Sequence, residues 1–228
     1  MHALLEHLRD AGLPGVPGVL GIDRDGREVL SFVEGEVVHP DHNELVASDQ
    51  AVSEVVGWIR DFHAASAKFV APVDARWQRL FDHVGSGVIA HNDLGRWNLV
   101  RQGPGRWAFI DWDTAAPADP LWDLAYAAHG LVPMTPRREP GLEEVDRDRR
   151  LGLVASAYGL DEVQRLRLLD LIAQRTDVLH RLIVDRAAAG DEPWASQFRD
   201  GHHHAWAEDT AFTIDNHQRW RRALLDSD

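Results

Sequence analysis

Residues 88–113 constrain this 228-residue chain more than any other stretch, because short apolar runs alternate there with acids and amides. Val88-Ile89-Ala90 leads into His91-Asn92-Asp93-Leu94-Gly95-Arg96-Trp97-Asn98, and the run 107–110 ends on Asp111 after the turn Gly103-Pro104-Gly105. Short apolar runs bounded by Gly, Pro, Asn and Asp read as strands joined by turns. The spacing His-x-Asp-x-x-x-x-Asn is a modest signal alone, and Ile110-Asp111-Trp112-Asp113 is the second element that lifts it. An aspartate ending a strand one hairpin downstream of Asn98 can reach the cleft of Asp93 and Asn98. Asn98 and Asp111 can then hold a divalent ion between them, and hard oxygen donors of this kind suit magnesium bridging nucleotide phosphates. Asp93 is left free to accept a hydroxyl proton and orient the attacking oxygen.

The flanking sequence places this segment between a small sheet and a helical bundle. Ala3, Leu4, Leu5 and Leu8 share a helical face that Gly12 and Pro14 close. Residues 19–22 and 28–33 read as two strands turned by Asp23-Arg24-Asp25-Gly26, and 37–47 as a linker ending on Ser48, the N-cap of the next helix. Over 49–66, Val52, Val55, Val56, Ile59 and Phe62 recur at helical spacing. A shorter helix is expected over 76–83. Asp119-Pro120 opens another helix, continued by Leu121, Leu124, Ala125 and Ala128. Three helical segments follow, roughly 141–158, 161–189 and 194–225, separated by Gly159 and Gly190. The expected class is α+β in two lobes, 1–38 and 39–228, the second mainly helical.

Composition removes several functions. The net charge of −13, from 24 basic and 37 acidic residues, argues against a phosphate-backbone or anionic-membrane partner, so neither nucleic acid nor membrane is expected. The absence of cysteine excludes disulfides and thiol catalysis. No signal peptide or membrane-length apolar run stands out, which makes the cytoplasm the expected location. Consecutive residues on a helix point about 100° apart, so His202-His203-His204 reads as a solvated face rather than a metal site.

Three stretches together resemble the aminoglycoside phosphotransferase family, within the wider protein-kinase-like fold: His91 to Asn98, Ile110 to Asp113, and Asp119-Pro120-Leu121-Trp122-Asp123-Leu124-Ala125. Residues 20–35 look like the strands leading to the interlobe hinge, and 57–63 like the helix before the catalytic loop. The resemblance implies transfer of the terminal phosphoryl group of ATP or GTP to a small-molecule hydroxyl, an aminoglycoside being one candidate. It implies Asp93 as base, His91 bracing the catalytic loop, Asn98 and Asp111 as magnesium ligands, and Asp123 supporting the loop. Backbone groups of the hinge, at Phe32 and Val33, would receive the adenine.

The sequence departs from the family pattern at Asn92, where Gly is usual, and at Arg96, where Pro is usual. It also opens at what resembles the helix after the phosphate-covering loop, and no lysine precedes Lys68, so a truncated N-terminal lobe is expected. Slow transfer and weak MgATP binding follow as expectations, since that loop and its lysine normally stabilise the moving phosphoryl group. A catalytically impaired remnant acting as a binding protein is therefore the alternative, and a metal-dependent hydrolase a third reading. The net charge and the carboxylates Glu208, Asp209 and Asp215 favour a cationic acceptor, while oligomeric state is left open.

Overall fold

The computed structural model describes residues 1–81, 85 and 87–226. Helix α1, His2–Asp10, buries Leu4, Leu5 and Leu8, and Gly12 at φ +80° turns the chain away. The following loop lies against a later strand: a Cβ at Gly15 would stand 2.3 Å from the Trp107 carbonyl oxygen, so only glycine fits. Strands β1 (Val19–Ile22) and β2 (Glu28–Leu30) form an antiparallel hairpin. The second strand is shorter than the sequence suggests, because 31–35 leave the ladder.

The expected linker carries structure of its own. Strand β3, Glu36–Val37, pairs with a strand far downstream, and a 3-10 turn spans Pro40–Val46. Ser48 accepts a hydrogen bond from the Ala51 amide and opens α2, Asp49–Ser66. All five of its expected apolar residues are buried. The short helix expected over 76–83 does not form over 76–81, which is irregular; His83 and Asp82 lie outside the described residues. That stretch has too few residues to nucleate a helix without packing support.

Strand β4 (Val88–Ala90) pairs antiparallel with β7 (Ala116–Ala118). β5 (Leu99–Gly103) and β6 (Arg106–Phe109) form the hairpin to which β3 adds. Helix α3, Pro120–Leu131, starts at Asp119, whose carboxylate accepts from the Leu121 amide at 2.8 Å. Then come α4 (Arg147–Tyr158) and α5 (Glu162–Ala188). The last expected helix is three: α6 (Trp194–Arg199), α7 (His202–Asp215) and α8 (His217–Leu225), broken at Gly201 and Asn216. Gly201 takes φ +82°, which a helix cannot continue through.

Helix α5 packs between α3 and α7, and α4 between α2 and α8. One apolar core runs from Leu4 on α1 through α2 and α3 to Leu224 on α8, so the boundary expected near Val38 is crossed by continuous packing. Trp58, Phe62, Phe109 and Trp112 stack within it beneath β6. No helix among the described residues is long and apolar enough to cross a membrane.

Candidate active site

The segment 91–98 crosses from β4 to β5 and is held from beneath by Asp123, in the first turn of α3. One Asp123 oxygen accepts from the His91 amide at 2.8 Å and from His63 Nε2 at 3.1 Å, and the other from the Asn92 amide at 2.9 Å. His63 reaches on to the Tyr158 hydroxyl at 2.7 Å, so α2 and α4 are tied into the same cluster. Burial alone would raise the Asp123 carboxyl, but the hydrogen bond and charge of His63, with the other donors, hold it below the ordinary value.

His91 is fully buried. Its Nδ1 accepts from the Asp93 amide at 3.3 Å and its Nε2 donates to the Ile110 carbonyl at 3.1 Å. Burial pushes its pKa down, consistent with a neutral ring whose two nitrogens hold backbone. His91 therefore ties the start of the loop to the end of β6.

Asn92 sits at φ +65°. This left-handed conformation explains why a position usually glycine accepts Asn, the non-glycine residue most at ease there. The side chain adds what glycine lacks: Nδ2 donates to the carbonyls of Thr114 at 3.1 Å and Ala116 at 3.4 Å. Thr114 Oγ1 in turn donates to the His91 carbonyl at 2.9 Å.

Asp93 is half-buried, and its Oδ2 accepts from Asn98 Nδ2 at 2.8 Å. The same Asn98 amide donates to the Asp93 carbonyl at 3.0 Å, so its NH2 group is fully committed and its carbonyl oxygen is the end left to accept. Burial lifts the Asp93 carboxyl above the usual value and the charge of Asp111 adds to this, against Arg175 and the Asn98 bond. Asp111 is exposed and held at φ +63°. An amide oxygen and two neighbouring carboxylates that repel each other form a donor set a hard divalent cation suits.

Phe32, 87% exposed, follows β2 with the half-buried Val33. Neither is among the residues lining the cavity that contains Asp93. Arg96 donates to Asn43 Oδ1 and to Glu139 at 2.6 Å. Lys68 is exposed just beyond α2. His203 corrects the solvated reading of the histidine run, since it is buried against Phe198 with ring centroids 4.0 Å apart.

Beside Asp93 opens a cavity of about 650 Å³ between the loop 91–98, the 3-10 turn, α3, α5 and α7. Its carboxylates are mostly taken. Glu139 pairs with Arg96, and Asp209 accepts from His129 at 3.1 Å and Arg137 at 2.7 Å. Of the three acids expected to wall this cleft only Asp209 lines it; Glu208 binds Arg137 at 3.2 Å and Asp215 is exposed. Sequence reasoning missed His63 and Arg175, the latter donating to the Asn92 carbonyl at 2.7 Å. The signal was present on α5, where Arg175 interrupts an apolar face running from Leu168 through Ile172 to Leu179.

The loop 91–98, clamped by the next helix between short antiparallel strands and a helical bundle, is the arrangement of the kinase-like fold. Three solved structures share it. A choline/ethanolamine kinase family protein from Mesorhizobium loti superposes with a TM-score of 0.61 at 15% identity, covering 97% of this chain and 81% of that one. An ethanolamine kinase from Plasmodium vivax gives 0.58 at 8% identity, over 97% and 73%. The GDP complex of aminoglycoside 2'-phosphotransferase-IIIa gives 0.55 at 15% identity, over 92% and 82%. Residues 67–159 match the APH model, described as the phosphotransferase enzyme family. A trifolitoxin immunity protein of Rhizobium leguminosarum bv. trifolii is 35% identical over an alignment of 172 residues that covers 72% of this chain. The chain spans 64% of the length of that relative.

Proposed function

We propose that the protein transfers the terminal phosphoryl group of ATP or GTP to a hydroxyl of a small molecule held in the cavity beside Asp93. The observation that supports this most is Asp93 itself. Its carboxylate stands at the cavity edge, fixed by Asn98, with the His91 and Asp123 contacts setting the backbone that carries it. A carboxylate so placed accepts the proton of the acceptor hydroxyl as its oxygen attacks the phosphorus, and the nucleoside diphosphate leaves from the opposite side.

The Asn98 carbonyl oxygen and the Asp111 carboxylate would hold magnesium, which when bound neutralises charge on the transferring phosphate. Phe32 and Val33 offer backbone groups for the purine at the chain segment after β2. His91 acts on the reaction through the loop backbone, as a positioning residue. The cytoplasm, where nucleoside triphosphates are abundant, is the matching compartment. A relative described as an immunity protein fits an enzyme that inactivates a toxic compound by phosphorylating it.

The alternative, a binding protein without turnover, is separated from this reading by one experiment. MgATP consumption is measured with an alcohol panel for wild type and Asp93→Asn. The expected result is nucleotide binding in both and turnover lower by roughly 10²-fold or more in the variant. Equal rates would remove Asp93 from the chemistry, and binding without turnover in wild type would favour the binding protein.

A further inference from the structure

We infer that the acceptor taken in this cavity carries a carboxylate or similar anion on a flat apolar body, and that Arg175 sets this preference. The inference rests on the phosphotransferase reading for the word acceptor, but its physical basis is the lining of the cavity. In a chain of net charge −13, four arginines line it (Arg96, Arg137, Arg138 and Arg175) against the three carboxylates Asp93, Glu139 and Asp209. Glu139 and Asp209 are neutralised by Arg96 and Arg137. Among the described lining residues, Asp93 alone is a carboxylate with no arginine in ion-pair contact, although the Arg175 charge acts on it from farther off, and the proposed chemistry occupies that one.

A cationic acceptor has a second way to bind, on aromatic faces, since an ammonium is attracted to the ring quadrupole. Here those faces are already occupied. The Arg175 guanidinium lies 4.1 Å from the ring centres of both Phe81 and Tyr126 and 5.3 Å from that of Trp122. The chain has filled its own cation cage, and any other cation brought beside Asp93 meets that charge.

Arg175 is also unusually short of partners. It is 1% exposed, donates through Nη2 to the Asn92 carbonyl, and leaves Nε and Nη1 without a hydrogen bond among the described residues. Asp93 and Asp123 act on its charge, but neither is in ion-pair contact with it. A guanidinium does not give up its proton to escape burial, so its charge persists and an anion in the adjoining cavity offsets it. Trp97, Tyr126, Trp206 and His129 follow one another at ring spacings of 5.8, 6.0 and 5.4 Å. This belt offers a planar group apolar contact while Arg137 and Arg138 stand at the same cavity wall.

Calorimetry with three alcohols of matched shape tests the inference: para-(hydroxymethyl)benzoate, its primary amide, and para-(hydroxymethyl)benzylamine, each without nucleotide. The expected order is acid, amide, amine, with the acid about tenfold tighter than the amine. Arg175→Met should erase this preference and Arg175→Lys should keep part of it. The wild-type order carries the test alone if Arg175→Met does not fold. An amine bound as tightly as the acid, an acid bound equally by wild type and a folded Arg175→Met, or no binding of any probe overturns it. MgATP consumption with the same alcohols separates the two readings: turnover of the amine in preference to the acid overturns the acceptor class and leaves phosphoryl transfer standing.

Discussion

In the loop 91–98 the polar groups are inside and paired, whereas in the β1–β2 hairpin apolar groups are outside and bare. His91, Asn92 and Asn98 are buried with their donors assigned, although the Asn92 side-chain oxygen has no partner among the described residues, while Leu20 and Ile22 on β1 are 68% and 67% exposed. Buried polar groups are costly unless every partner is in place, so the loop has few conformations available to it. The hairpin has no such constraint: its two strands pair only with each other, and Val19 and Leu30 pack partly against the core. The side chains of the loop are therefore positioned by the fold, on the side built from α2, α3 and β4 to β7. The hairpin side offers surface instead of fixed groups.

The strongest way to break this contrast is to remove its centre. Asp123→Ala leaves the His91 and Asn92 amides and His63 without their acceptor, and should cost about 3–5 kcal/mol. Urea denaturation would show it; a loss no greater than that of a surface mutation would mean the loop is held by something else. Next comes Asp111→Asn. Wild type at saturating MgATP should gain stability on the order of 2–3 kcal/mol, and thermal melting should show the magnesium-dependent part of that gain lost in the variant. A gain unchanged in Asp111→Asn would take Asp111 out of the metal site.

A smaller effect distinguishes the two carboxylates by pH. Asp123 is held below its ordinary value in the fold, so its stabilisation is complete above the unfolded pKa of about 4 and is lost as pH falls through the depressed one. Asp93 is raised, so the base protonates, and turnover falls, at a pH where Asp123 is still charged. The rate should thus drop on acidification before the melting temperature does, and a coincident loss would contradict the assignment. The smallest change is expected at the hairpin side. Phe32→Pro removes the backbone N–H of that exposed residue, and titration with ATP should show several-fold weaker binding. Unchanged affinity would move the purine elsewhere.

The helices α2 and α3 were legible because their signals are local: apolar residues at helical spacing, with Ser48 and Asp119 capping the starts. The acid and amide positions of the loop were legible for a similar reason, being fixed by spacing between short strands. Strand β7 was not, since Ala-Pro-Ala lacks β-branched residues and proline is tolerated only where no ladder bond is needed from it. The break of the last helical stretch depends on Gly201 and Asn216, whose effect is decided by packing of α6 and α7 against α5. His63, Tyr158 and Arg175 come from helices far apart in sequence, and no pattern along a single element brings them together. Their presence at the site is a property of the tertiary fold.

Asn92 has a kinematic consequence. Its side chain bonds the carbonyls of Thr114 and Ala116, while the Thr114 hydroxyl bonds back to residue 91. These crossed ties, with the His91 link to Ile110, brace the bend carrying Asp93 against the bend carrying Asp111 on both sides of the latter residue. The bends that carry the two carboxylates are tied to each other, which limits how far Asp93 and Asp111 can move apart.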